Sequence, residues 1–162
     1  MSPDELYEIM IHLDIKDLQS LCSTSTIYSH LCQNADFWYN KVQHDKLPLF
    51  NNPSSINDYI KIKYADDIVK KYTKKQHLVI FLTNEDLSLI LPPDIYNQII
   101  HHDYDAVELF THFYKESNIP SSINYKSLKN GKRIELKMFK MSREEVLNVI
   151  FKIAYYYPNV LN

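Results

Sequence analysis

The side chains with metal-binding or acid-base character gather in one short run: His101, His102, Asp103 and Asp105, with His112 further on. Imidazoles beside carboxylates are the donor set of a divalent ion, and the chemistry they would support is metal-assisted hydrolysis. Such a centre needs further ligands from other helices. His12, His30, His44 and His77 are scattered, and none stands in a matching His-x-x-x-Asp arrangement. The expectation is no metal and no cofactor. No Ser, Cys or Lys occupies a Gly-flanked turn that would expose a nucleophile. The pair Glu144-Glu145 lies at a helix start, where the helix dipole accounts for it. The chain reads as a non-enzyme.

Cys22 and Cys32 both fall in helical apolar patterns and read as free, packed thiols rather than ligands or nucleophiles. No apolar run reaches membrane-spanning length or has the form of a signal peptide, so the expected setting is a reducing, intracellular one and no membrane partner. One Gly in 162 residues, against an average of about 7%, excludes the phosphate-cradling loops that need several. A net charge of -2 with a pI near 6.4 argues against a general grip on nucleic acid. A 45% hydrophobic content is enough for a core. The bias toward Ile, Asn, Lys and Tyr is that of an AT-rich genome, such as a parasite's or a large DNA virus's.

What remains is apolar surface, and its densest pattern is at the start. Ser2 and Glu5 can exchange hydrogen bonds as a capping box, with Pro3 where its missing donor costs nothing. Leu6, Ile9, Met10 and Leu13 follow on one helical stripe, widened by Tyr7 and Ile11. Asp14 is a second N-cap, Asp17 adds first-turn charge, and Leu18, Leu21 and Cys22 come at helical spacing. The run from Ser23 to Thr26 interrupts the helix because its side chains compete for backbone groups. A further helical turn carries Ile27, Tyr28, Leu31 and Cys32, leading to Asp36, Phe37 and Trp38. Fewer than about 40 residues seldom fold unaided, so these apolar faces need either the rest of the chain or another protein.

This order resembles the F-box family over about residues 2–42. The resemblance rests on Pro3-Asp4-Glu5-Leu6, then Leu13, Asp14, Asp17 and Leu18, then Tyr28, then Asp36, Phe37 and Trp38. It implies a three-helix module that docks on a Skp-type adaptor, and through it on a cullin-based ubiquitin ligase. Pro3, Leu6, Ile9, Met10, Leu13, Leu18, Leu21 and Trp38 would contact or support the adaptor. Ser2 stands where the family usually has Leu, and Thr24-Ser25-Thr26 replaces a Val-Cys-basic step. Each apolar side chain so replaced removes about 1.5–3 kcal/mol of burial.

The Pro-containing stretch 47–55 reads as a linker between an F-box-like domain at 1–46 and a target-binding α+β domain at 56–162. Apolar spacing predicts a helix from Ile56 to Tyr72 with a Lys-rich outer face. Leu78 to Leu82 leans toward a buried strand. Thr83 with Asp86 caps Leu87 to Leu91, and another helix holds Ile95, Tyr96, Ile99 and Ile100. A helix is also expected from about Asp105, carrying Val107, Leu109, Phe110, Phe113 and Tyr114.

Asn130-Gly131 signals a type I′ hairpin between alternating flanks, Ile123, Tyr125, Leu128 and Ile134, Leu136, Met138. Lys126, Lys129, Lys132, Arg133, Lys137 and Lys140 would lie largely on its solvent side, either guarding an edge against self-pairing or forming a recognition surface. Ser142 with Glu145 caps an apolar last helix that Pro158 stops.

The fold class expected is mostly α, α+β overall: the F-box-like unit, a helical domain with a C-terminal hairpin, and a final helix. The function expected is that of a non-catalytic substrate receptor in the cytoplasm, the host's if the source is viral, or in the nucleus. A structural or decoy interaction protein is the alternative, and a metal-dependent phosphohydrolase the remote one.

Overall fold

The computed structural model describes residues 2–72, 77–99, 103–112 and 120–159. The chain forms two compact units, Met1–Asp66 and Asp67–Asn162, and the expected α+β class holds, with helices first and a hairpin and helix last.

The first unit holds α1 (Pro3–Ile11), α2 (Ile15–Thr24), α3 (Thr26–Cys32), α4 (Ala35–His44) and the first part of α5 (Ile56–Lys71). The two predicted caps form: Ser2 Oγ accepts from the Glu5 N–H at 3.2 Å and Asp14 Oδ1 from the Asp17 N–H at 2.9 Å. The polar run breaks the helix later than its composition implied. Ser23 and Thr24 donate back to the Gln19 and Ser20 carbonyls and stay helical, so the chain turns only at extended Ser25. Beyond the three helices expected, Asn34 caps a fourth by accepting from the Phe37 N–H at 3.2 Å. Its inner face is Phe37, Trp38, Lys41 and Val42. Trp38 Nε1 donates to the Cys32 carbonyl at 2.7 Å, and its ring lies 5.9 Å from that of Tyr59 on α5. In the stretch expected to be a linker Leu47 and Pro53 are buried while Pro48, Leu49, Asn51, Asn52 and Ser54 are exposed, and the division between units falls within α5.

Cys22 and Cys32 are not free thiols but a disulfide, with Cα atoms 5.8 Å apart. Helical spacing put each on an apolar face; the turn at Ser25 folds α3 back so that the two faces meet. Closing a loop of ten residues restricts the unfolded chain by about 2–3 kcal/mol on the chain-entropy account. Reduction is therefore expected to lower the denaturant midpoint read from Trp38 emission, and an unchanged midpoint would show that the crosslink adds nothing.

The second unit holds the end of α5, β1 (His77–Leu82), α6 (Asn84–Ile90), α7 (Pro93–Ile99), β2 (Ala106–His112), β3 (Ser121–Lys129), β4 (Lys132–Met141) and α8 (Arg143–Tyr156). The strands form one antiparallel sheet in the order β1-β2-β3-β4. Its core packs Val107, Leu109, Ile123 and Tyr125 with Val146, Val149, Ile150 and Ile153 of α8 and Leu87 and Ile90 of α6.

The segment expected to be a helix from Asp105 is strand β2 over its described part; Phe113 and Tyr114 lie outside the described residues. Its inward positions are Val107, Leu109 and Thr111, and the last is polar, which hides the two-residue period. Thr111 is tolerated there because its hydroxyl lies 2.6 Å from the buried Tyr72 hydroxyl. The hairpin forms as expected, with Asn130 at φ 53 and Gly131 at φ 76.

Its register carries a bulge. Ser127 pairs with Glu135 and Leu128 with Arg133, so Ile134 is an extra residue in β4. Ile123 and Tyr125 face the core, whereas Ile134, Leu136 and Met138 are 49, 57 and 58% exposed.

Candidate docking surface

Helices α1 and α3 carry apolar side chains that no part of the first unit covers. A groove of about 460 Å³ is lined by Ser2, Pro3 and Leu6 from the start of α1, Ile27, His30 and Leu31 from α3, and Asn34. Ile27 is 68% exposed and Ile9, further along α1, 42%. The capping box fixes the rim, because Ser2 and Glu5 each accept or donate within α1 and hold Pro3 in the first turn.

The residues expected to meet or support a partner divide. Pro3 and Ile9 are exposed and Leu6, Leu13 and Leu21 half-buried, so these five present surface. Met10, Leu18 and Trp38 are wholly buried; they form the core beneath α1 and have no area to offer. Their apolar type told of burial, not of what buries them. The groove brings in Ile27, His30 and Leu31, which were not singled out as partner residues. The signal was present in α3, a helix of seven residues whose Ile27, Tyr28, Leu31 and Cys32 make one apolar stripe; what the spacing could not tell is that Ile27 on that stripe is left uncovered.

Beneath the surface lies a buried cation. Lys41 on α4 donates from Nζ to the Ile11 carbonyl at 2.7 Å and the Leu13 carbonyl at 2.6 Å, and pairs with Asp45 Oδ2 at 3.1 Å. It thus serves the carbonyls that the end of α1 leaves unpaired. Asp45 also accepts from the Tyr59 hydroxyl and lies 2.9 Å from His44 Nδ1. Burial raises the Asp45 carboxyl, but the hydrogen bonds from Tyr59, His44 and Lys41 outweigh it and hold the group below its ordinary value. The His12 and His44 rings meet edge to face at 4.7 Å.

A smaller cavity of about 290 Å³ borders this network, lined in part by His12, Asp14, Lys41 and Asp45. All three Lys41 protons have acceptors, so the arrangement locks the α1–α2 junction rather than presenting a reactive amine.

Of the run that could have held a metal, His101 and His102 lie outside the described residues. Asp103 forms an ion pair with Lys129, and Asp105 accepts from the Asn130 N–H at 2.8 Å. Both carboxylates therefore fasten the hairpin turn. Among the described residues no three His, Cys, Asp or Glu side chains converge as a metal site, and no helix is long and apolar enough to cross a membrane.

Residues 1–40 match the family model of the F-box domain, and the chain carries an F-box at its N-terminus. Comparison with curated proteins found no match, and comparison with solved structures found none.

Proposed function

We propose that this chain is a substrate receptor: its F-box docks on a Skp-type adaptor, and through it on a cullin-based ubiquitin ligase, while the second unit holds a target. The observation that carries the reading is the open groove of Pro3, Leu6, Ile27 and Leu31 within the matched segment. An apolar face left bare by its own unit is what a partner's helix would cover. The receptor then acts by proximity alone, raising the effective concentration of the target near the ubiquitin-loaded enzyme. Such a receptor works in the cytoplasm or nucleus, where reducing conditions would open the Cys22–Cys32 crosslink.

The test is capture of a purified Skp-type adaptor by Ile27→Asp. Ile27 is largely exposed, so the unit keeps its fold. Burying Ile is worth about 1.5–3 kcal/mol, and capture should fall by about tenfold or more. Parent and variant capturing adaptor alike would end the proposal. Leu18→Asp is the wrong probe, since it places a charge in the core and unfolds the module.

One observation favours a second reading, a structural or decoy protein with no ligase: Ser2 at the groove rim and exposed Thr24 and Thr26 give a partner polar surface. Capture of another protein by a parent that ignores the adaptor would support it.

A further inference from the structure

The outer strand β4 combines three features. It closes the sheet order β1-β2-β3-β4, so its outer backbone N–H and C=O groups have no strand partner among the described residues. It also presents Ile134, Leu136 and Met138 to solvent in an alternating row. The third feature is charge. Lys126 pairs with Glu108, Lys129 with Asp103 and Lys137 with Glu135. Lys132, Arg133 and Lys140 make no ion pair among the described residues, and all three lie on β4.

We infer that β4 is the target-binding edge, and that it takes an extended acidic segment of another protein as a fifth strand, an inference that rests on the second unit being the target-binding part. Backbone hydrogen bonds to an edge give affinity without regard to sequence, and side chains at alternate positions give selectivity. The apolar row takes apolar side chains at every second position of the incoming strand. Arg133 and Lys140 stand on the same face at the two ends of that row, where carboxylates at the ends of the incoming segment meet them. A second copy of β4 would bring cation against cation, so the same charges that prevent self-pairing leave the edge open to an acidic strand.

The experiment measures binding to the full chain of a labelled peptide with Val at alternate central positions, Thr between them and Glu at both ends; the controls are the same peptide with Lys in place of Glu and one of the same composition in scrambled order. The acid-ended peptide should bind, weaken as salt rises, and perturb β4 amides in isotope-edited spectra, while both controls bind more weakly. Arg133→Glu with Lys140→Glu, and separately Leu136→Ser, should each weaken it by about tenfold; all three positions are exposed.

Absence of binding, variants binding like the parent, perturbations away from β4, or a chain that dimerises through this edge would each overturn the inference. Adaptor capture is read on the same proteins. Adaptor bound without peptide refutes the edge alone, and peptide bound without adaptor refutes the ligase reading and its target assignment while leaving the edge.

Discussion

Lys41→Met is expected to destabilise the first unit by about 3–5 kcal/mol, the range found when one partner of a buried ion pair is removed. Met fills nearly the same volume but has no donor. The Ile11 and Leu13 carbonyls would lose acceptor bonds of 2.7 and 2.6 Å, and Asp45 its cation at 3.1 Å. Each stranded buried acceptor costs about 1–3 kcal/mol. Asp45 is partly exposed, which lets water meet some of the loss and places the expected cost in the lower half of the range.

The lone Trp, Trp38, sits in the same unit, so the midpoint of its emission change with denaturant reports the effect. Asp45 supplies a signature. Its folded pKa lies below 3.8, so it contributes stability above that value, and the contribution is lost as pH falls through the folded value. Without Lys41 the shift is smaller and this acid-dependent loss shrinks. A variant with the parent's midpoint and the parent's acid profile would show that Lys41 is not what locks the junction.

The apolar spacing from Leu6 to Trp38 disclosed which residues turn away from water, and the caps at Ser2 and Asp14 disclosed where helices begin. It did not separate burial within the unit from burial against a partner. Met10 and Ile9 are neighbours of the same chemical type, yet one is enclosed and the other 42% exposed. That difference is set by α4, which packs under one side of α1 through contacts such as Tyr7 on Phe37, with ring centres 5.8 Å apart. The Lys41 network was illegible for a related reason. A lysine at a helix end reads as solvated, and only the fold brings two orphan carbonyls and a carboxylate to it.

In the second unit the hairpin was legible because Asn-Gly determines a turn locally, whereas its facing depended on Ile134, one extra residue in β4. Strand β2 was misread because residue type and burial part company along it: Thr111 is buried through its contact with Tyr72, and Phe110 lies on the outer face. Counting apolar residues there favours a period near 3.6, while counting inward ones gives 2.

A pair of neighbouring substitutions turns that distinction into numbers. Leu109→Ala should cost about 3–4 kcal/mol, as large-to-small changes in closed cores do, because Leu109 has no exposed area and packs between Val107, Ile123 and α8. Phe110→Ala, one residue on, should cost about 1–2 kcal/mol, since its half-buried ring has less burial to lose. On a helix the two positions would share a face and their costs would converge. Denaturation followed by far-ultraviolet circular dichroism reads both, and equal losses would count against the strand.

The asymmetry also bears on function. Phe110 pairs across the sheet with Asn124, and Asn124 with Met138, so Phe110 shares the outer face on which β4 displays its apolar row. The smaller loss therefore falls on the sheet's outer face and the larger on its core, the separation that the proposed fifth-strand edge would need.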